Sequence, residues 1–163
     1  MVTEPTLVVT KSMAPTSVVS GTVVKITVEL SHEASSNTTA YDIEVFENMG
    51  TELQFAPSIG ITQNTSGPVI SFASTSAQNG KFTVSALPLN FNSSNPFIFS
   101  FDTVVTNVIV PGEQVDNKVD IQWTSLEGTD PDERGGTQTP GQDDYFASSN
   151  VASIVNDLSL IHI

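Results

Sequence analysis

Short runs in which apolar and polar side chains alternate recur along most of the chain, and this period of two constrains the fold more than any other feature. In the clearest run, residues 97–105, Phe97, Phe99 and Phe101 fall on every second position. Successive side chains of a strand point to opposite faces of a sheet, so this run predicts a strand with an aromatic stripe in the core. No window of about 11 residues has helical periodicity. The pattern therefore predicts an all-β chain.

The other runs are bounded by turn-forming residues and predict further strands at residues 6–12, 22–31, 40–47, 52–55, 69–73, 81–87, 117–126 and 150–155. The dipeptide Asn79-Gly80 predicts a type I′ hairpin turn, which needs positive φ at both central positions. Trp123 is expected to be buried, and Tyr41 and Phe46 should face opposite sides of their strand. About seven to nine short antiparallel strands at this spacing indicate an immunoglobulin-like β-sandwich, with residues 1–157 as one module.

Charge and composition exclude several classes of partner and chemistry. The chain has 5 Lys and Arg against 18 Asp and Glu, a net charge of −13, which argues against binding to nucleic acid or to an anionic membrane. Cations are the natural partners. The absence of cysteine rules out disulfides, thiol catalysis and Cys-ligated zinc. No apolar run approaches the ~20 residues that span a bilayer, so direct membrane insertion is not expected.

A long acidic loop follows the strand that contains Trp123. Calcium binds six to eight oxygens, and carboxylates gathered on a loop can provide them, although the spacing here is not that of an EF-hand. The candidate calcium ligands, and the only cofactor site expected, are Asp130, Asp132, Glu133, Asp143 and Asp144. Two other interpretations stay open: the loop is simply solvated, or Arg134 pins it by pairing with a carboxylate.

A second candidate site is covalent. Some surface domains join a strand lysine to an asparagine with the assistance of a buried carboxylate, and Lys11 is a candidate for such a lysine. The possible partners are Asn117, Asn150 and Asn156, and the possible acids are Glu47 and Asp42. The simpler expectation is that Lys11 is an exposed side chain on a first strand.

Catalytic motifs are missing. His32 and His162 do not form a pair with metal-ligand spacing, and no Ser-His-Asp set can be assembled, so we do not expect an enzyme. The alternative to a structural role is a carbohydrate- or ligand-binding sandwich. The aromatic residues considered for such a surface are Tyr41, Phe46, Tyr145 and Phe146.

Residues 4–55 resemble the repeat module called DUF11, which occurs in tandem in large bacterial and archaeal surface proteins. The matching motifs are Thr10-Lys11, Ser20-Gly21, Ala40-Tyr41 and Leu53-Gln54-Phe55; Glu47 stands where the family usually has Asp, and Asn48-Met49-Gly50 replaces its Leu-Pro turn. The second half is similar to a variant of such modules at residues 123–128, Glu133-Arg134 and Asp144-Tyr145.

The resemblance implies an immunoglobulin-like stalk, spacer or adhesive module of an extracellular or cell-surface microbial protein. Its expected partners are neighbouring repeat modules of the same chain and glycans or proteins of a cell surface. The last residues, 158–163 (LSLIHI), resemble the read-through of a sequencing adapter and are expected to be non-native. The other interpretation is a continuation of the last strand.

Overall fold

A computed structural model describes residues 4–63, 65–128 and 145–157. Within these ranges the chain forms thirteen strands and no helix, and eight of the strands have five or more residues, in line with the seven to nine expected. The strands are β1 (Leu7–Ala14), β2 (Ser17–Val18), β3 (Val23–His32), β4 (Ala40–Asn48), β5 (Leu53–Phe55), β6 (Thr62–Gln63), β7 (Ile70–Ser74), β8 (Asn79–Leu87), β9 (Phe97–Val105), β10 (Gln114–Asn117), β11 (Val119–Thr124), β12 (Tyr145–Ser148) and β13 (Ala152–Asn156). No helix in the described ranges is long and apolar enough to cross a membrane.

The strands form three sheets. One has the order β1-β3-β9-β5, with β6 also paired to β9, and the second has the order β12-β11-β4-β8-β7. The third, β10-β13-β2, is antiparallel except for the parallel pair β13 and β2. The first two sheets face each other as an antiparallel, immunoglobulin-like sandwich, which confirms the predicted fold class.

The aromatic stripe of β9 lies at the centre of the core, as predicted. Phe97, Phe99 and Phe101 are fully buried, and the ring of Phe82 on the opposite sheet lies 5.1 Å from Phe99 and 4.6 Å from Phe101. Trp123 is also buried, and its indole N–H donates to the carbonyl of Pro5 at 2.9 Å. Aromatic pairs at these separations stabilise the contact between the sheets beyond the area that they bury.

The predicted type I′ turn at Asn79-Gly80 is wrong. The hairpin between β7 and β8 exists, but residues 75–78 form its loop, and Asn79 and Gly80 already belong to β8. Gly80 instead allows a close approach, because an added Cβ would lie 2.6 Å from the Phe72 ring and 2.8 Å from the Phe55 ring. A glycine inside a strand often marks such a contact, and here that requirement outweighs the turn signal of the dipeptide.

A bulge changes the expected pattern of β4. Between Glu44 and Tyr41, β4 has one residue more than its partner β11, and Asp42 adopts a positive φ of 47°. The alternation is shifted as a result, so Ala40 is buried while Tyr41 is only half-buried and Phe46 is 36% exposed. The expectation that Tyr41 and Phe46 occupy opposite faces fails because it assumed an unbroken strand.

The first and last described strands run in the same direction. Lys11 contacts Asn150, and further along both segments Ser17 pairs with Val155, so the two segments are parallel. The described chain therefore begins near Trp123, at Pro5, and ends beside Val18, at the opposite end of the sandwich.

Candidate functional site

Lys11 is buried between the sheets, contrary to the expectation of an exposed lysine. It occupies the inward row of β1, together with Leu7, Val9 and Met13, and is only 4% exposed. Alternation along β1 places position 11 in this row, and a charged residue there is unusual because burial without a partner is costly. In the sequence, the signal for this site is therefore a polar residue at a strand position where the alternation predicts a buried apolar side chain.

Glu47 is the partner of Lys11. It lies on the inward row of β4 with Ile43 and Val45, and its carboxylate oxygens accept hydrogen bonds from Lys11 Nζ at 2.7 and 3.0 Å. Both side chains have no exposed area. The attraction within a buried ion pair offsets little more than the cost of removing both charges from water. Such a pair is therefore weak evidence of a stabilising role.

Asn117 completes the cluster. It is the last residue of β10 and lies two positions before Val119, which pairs with Glu47 across β4 and β11. Its buried carboxamide lies against the Glu47 carboxylate and favours the charged form of that group, which partly opposes the rise in the Glu47 pKa that burial causes. Neither the nitrogen nor the oxygen of the carboxamide completes a well-formed hydrogen bond with any described residue. Buried polar groups are nearly always paired, so an orphaned carboxamide beside a lysine and a glutamate calls for an explanation.

The other residues considered for the cross-link have different roles. The carboxamide of Asn150 bonds to the backbone of Lys11, and the carboxylate of Asp42 accepts from the Gly128 N–H at 2.7 Å. Asn156 is buried, but it lies four residues beyond Ala152, the register partner of Asn117, which is about 13 Å along the strand. Of the three candidate asparagines, Asn117 is the one whose side chain lies against the carboxylate that binds Lys11, which makes Glu47 the acid.

Burial shifts both ionisable groups of the cluster towards their neutral forms. Burial lowers the pKa of Lys11, and the charge and hydrogen bonds of Glu47 only partly oppose this. Burial likewise raises the pKa of Glu47; Lys11 and Asn117 oppose the shift, and the nearby Asp120 charge adds to it. Both shifts move the pair towards a neutral amine, which is a nucleophile, and a protonated carboxylic acid, which is a proton donor.

The candidate calcium ligands Asp130, Asp132, Glu133, Asp143 and Asp144, together with Arg134, lie outside the described residues. Elsewhere, in residues 4–63, 65–128 and 145–157, no group of three or more His, Asp or Glu side chains could hold a metal ion. The calcium site therefore stays a prediction.

The aromatic candidates for ligand binding separate into two groups. Tyr145 is buried and stacks on Trp123, with ring centroids 5.9 Å apart. Phe46 and Phe146 are 36% and 62% exposed and lie on the two strands that flank β11, opposite Asp120 and Gln122. Tyr41, the fourth candidate, is half-buried, so the exposed members of the set are Phe46 and Phe146.

Comparison with solved structures shows that the fold is a known one. The chain is similar to the major pilin subunit BcpA of Bacillus cereus, with a TM-score of 0.57 and 10% identity over 92% of this chain and 40% of that one. It is also similar to the N-terminal domain of the Streptococcus gordonii adhesin Sgo0707, with a TM-score of 0.52 and 16% identity over 93% of this chain and 32% of that one. The fold is that of surface pilin and adhesin domains.

A third similar structure is the collagen-binding subdomain ACE19 of the Enterococcus faecalis surface protein ACE, with a TM-score of 0.50 and 11% identity over 96% of this chain and all of that one. The chain spans about two fifths of the pilin and one third of the Sgo0707 domain. No family model matches the chain, so the DUF11 resemblance is not confirmed, and no curated protein sequence matches it. At these identities the likeness shows the fold alone.

Proposed function

We propose that this chain is a load-bearing structural or adhesive module of a microbial surface protein, fastened internally by an isopeptide bond between Lys11 and Asn117. The observation that carries the proposal is the burial of a lysine, a glutamate and an unpartnered asparagine together between the sheets. The similarity to pilin subunits and adhesin domains supports a location at the cell surface.

The bond forms by transamidation, in which Lys11 Nζ replaces the nitrogen of the Asn117 carboxamide. The neutral Nζ of Lys11 attacks Cγ of Asn117, and the protonated Glu47 donates to the carboxamide oxygen, which stabilises the tetrahedral intermediate. Nζ passes one proton to the Glu47 carboxylate, and Glu47 gives that proton to the leaving nitrogen as the Cγ–Nδ2 bond breaks. The oxygen returns its proton to Glu47 when the carbonyl re-forms, so ammonia departs with the two hydrogens of the carboxamide and the one lost by Nζ. No oxidant or cofactor is required, and the mass of the chain falls by about 17 Da.

The position of the bond suits a module under tension. Force applied at the two ends of the described chain enters through β1 and leaves through β13, at opposite ends of the sandwich. Because β10 pairs with β13, a bond from Lys11 to Asn117 joins the first strand covalently to the neighbour of the last strand, and the load then continues along residues 118–157. The roughly 100 residues between the bonded positions then carry no tension, so their hydrogen-bonded sheets are not pulled apart.

Two features of the sequence extend this proposal. Neighbouring modules of a tandem array are the partners expected for a domain whose ends lie at opposite poles. Calcium bound by the acidic loop at residues 130–144 would stiffen the connection between β11 and β12, since a cation gathers carboxylates that otherwise repel each other.

Peptide mapping tests the cross-link directly. Trypsin cleaves after Lys and Arg, and a Lys11 held in an amide is no longer a substrate. The digest should therefore contain residues 1–25 joined to residues 82–118, with a mass about 17 Da below the sum of the two peptides. Glu47→Gln keeps the shape of the site but removes the proton donor, and its digest should contain the separate peptides. A wild-type digest with a free peptide ending at Lys11 would sink the proposal.

Ligand binding is a second candidate function, favoured by the exposed rings of Phe46 and Phe146 on one sheet face. Aromatic faces of this kind stack on sugar rings or pack against apolar protein side chains. Titration of a glycan panel by calorimetry, with Phe146→Ala as the comparison, tests this role. Binding that is indifferent to the substitution would place the ligand surface elsewhere.

A further inference from the structure

Asn150 holds the backbone of Lys11, and we propose that it is a positioning residue for the cross-linking step, an inference that rests on the proposed function. Its Oδ1 accepts from the Lys11 N–H at 2.9 Å, and its Nδ2 donates to the Lys11 carbonyl at 2.9 Å. A carboxamide with an acceptor and donors imitates the backbone of a neighbouring strand. Lys11 is therefore held on one side by its place opposite Val28 of β3 and on the other side by a single side chain 139 residues away.

Ser149, the residue before Asn150, connects this segment to the strands that carry Asn117 and Glu47. The Ser149 N–H donates to the Val119 carbonyl at 2.9 Å, and the Val119 N–H donates to Ser149 Oγ at 3.0 Å. Val119 in turn pairs with Glu47 and follows Asn117 by two residues. Residues 149–150 thus connect the backbone that carries the lysine to the backbone that carries its target.

This connection matters because the reaction depends on the distance between two atoms on different sheets. Amide exchange needs Nζ within about 3–3.5 Å of Cγ, and a misplacement of about 1 Å can slow such a step by about 100-fold. The lysine side chain has four rotatable bonds, so its tip is placed only if its backbone and packing are fixed. Asn150 touches neither reacting atom, and its carboxamide is already used by the backbone of Lys11. It acts on the geometry of the step and not on its chemistry.

The rate of ammonia loss in folded protein tests this role. The full chain is made by cell-free synthesis, captured in urea before it folds, refolded by dilution, quenched in acid and weighed intact; the fluorescence of the single tryptophan, Trp123, reports the folded fraction. Per folded molecule, Asn150→Ala should react at least about tenfold more slowly than the wild type. Asn150→Asp keeps the acceptor for the Lys11 N–H but loses the donor, and should be intermediate.

Asn37→Ala is the matched control. The side chain of Asn37 also accepts a hydrogen bond from the backbone of the N-terminal segment, from the Glu4 N–H at 2.8 Å, but it lies far from the cluster. It should react at the wild-type rate, because losing a stabilising bond lowers the folded fraction without slowing the step in molecules that are folded. A wild-type rate in folded Asn150→Ala overturns the positioning role and leaves the cross-link intact. If Asn150→Ala does not fold, a wild-type rate in Asn150→Asp overturns it instead, and a wild-type chain that never loses ammonia ends both proposals.

Discussion

Removing the carboxamide of Asn117 should cost this protein far more stability than the size of the side chain suggests. In Asn117→Ala the isopeptide bond cannot form, and the unfolded chain regains the freedom that a closed loop of roughly 100 residues denies it. The chain-entropy relation assigns about 4.7 kcal/mol to a loop of that length. For a domain of this size, 1 kcal/mol shifts the melting temperature by about 2–4 °C, so the variant should melt about 10–20 °C below the wild type.

Asn156→Ala is the matched control, because Asn156 is also a buried asparagine whose carboxamide has no hydrogen-bond partner among the described residues. It loses the same atoms from the same sandwich but no covalent bond, and it should melt within a few degrees of the wild type. Scanning calorimetry of the three proteins, with the intact mass of each, measures the difference. Equal melting temperatures for the two variants would refute the reasoning, because they would leave the cross-link without a thermodynamic effect.

Four further predictions concern the lysine, the histidine, the close-packed glycine and the acidic loop. In Glu47→Ala the buried Lys11 has lost its partner, so its pKa stays below that of the unfolded chain and the unfolded state binds more protons. The free energy of unfolding, measured by urea titration, should therefore rise with pH towards pH 10 by up to about 1.4 kcal/mol per pH unit, and adding Lys11→Met should abolish the slope. Burial lowers the pKa of His32, whose ring nitrogens bond to Ser36 and the Leu87 carbonyl. The stability of the wild type relative to His32→Gln should therefore fall as the pH drops below about 6.5. A difference in urea midpoint between the two proteins that does not change with pH would contradict this. Gly80→Ala should cost about 1–3 kcal/mol through its contact with the Phe72 ring, and its effect in denaturant titrations should be less than additive with Phe72→Ala. If calcium binds the acidic loop, free calcium at about 100 times its dissociation constant should stabilise the fold by about 2.7 kcal/mol, and chelator should reverse the rise in melting temperature; a melt indifferent to both sinks the metal site.

The sequence predicts best what depends on neighbouring residues. Alternation alone identified β1, β3, β4 and β9 within two residues at each end and placed Phe97, Phe99 and Phe101 in the core, because strand periodicity is a local property. It failed where distant packing decides the conformation. Gly80 lies in a strand because the Phe72 and Phe55 rings lie over it, and neither ring is adjacent to it in sequence.

In the candidate site, too, local features could be predicted from the sequence and contacts between distant residues could not. Lys11 and Glu47 were among the residues named from the sequence by analogy with cross-linked surface domains, although the simpler expectation of an exposed Lys11 was wrong. Both residues occupy strand positions where the alternation predicts a buried apolar side chain, and this is the local signal of their burial. The choice among the three asparagines could not be made, because it depends on the register of β10 against β13 and on which carboxamide the backbone of Lys11 occupies. Those contacts join residues 35 positions apart in the first case and 139 in the second, and a local pattern carries no information about them.

Intact mass spectrometry of the denatured wild-type chain tests the central claim most directly. An isopeptide bond survives denaturant and reductant, so the account predicts a mass about 17 Da below that of the amino-acid sequence, with the deficit absent from Lys11→Met and Asn117→Ala. A wild-type mass equal to that of the sequence would show that Lys11, Glu47 and Asn117 are no more than a buried polar cluster.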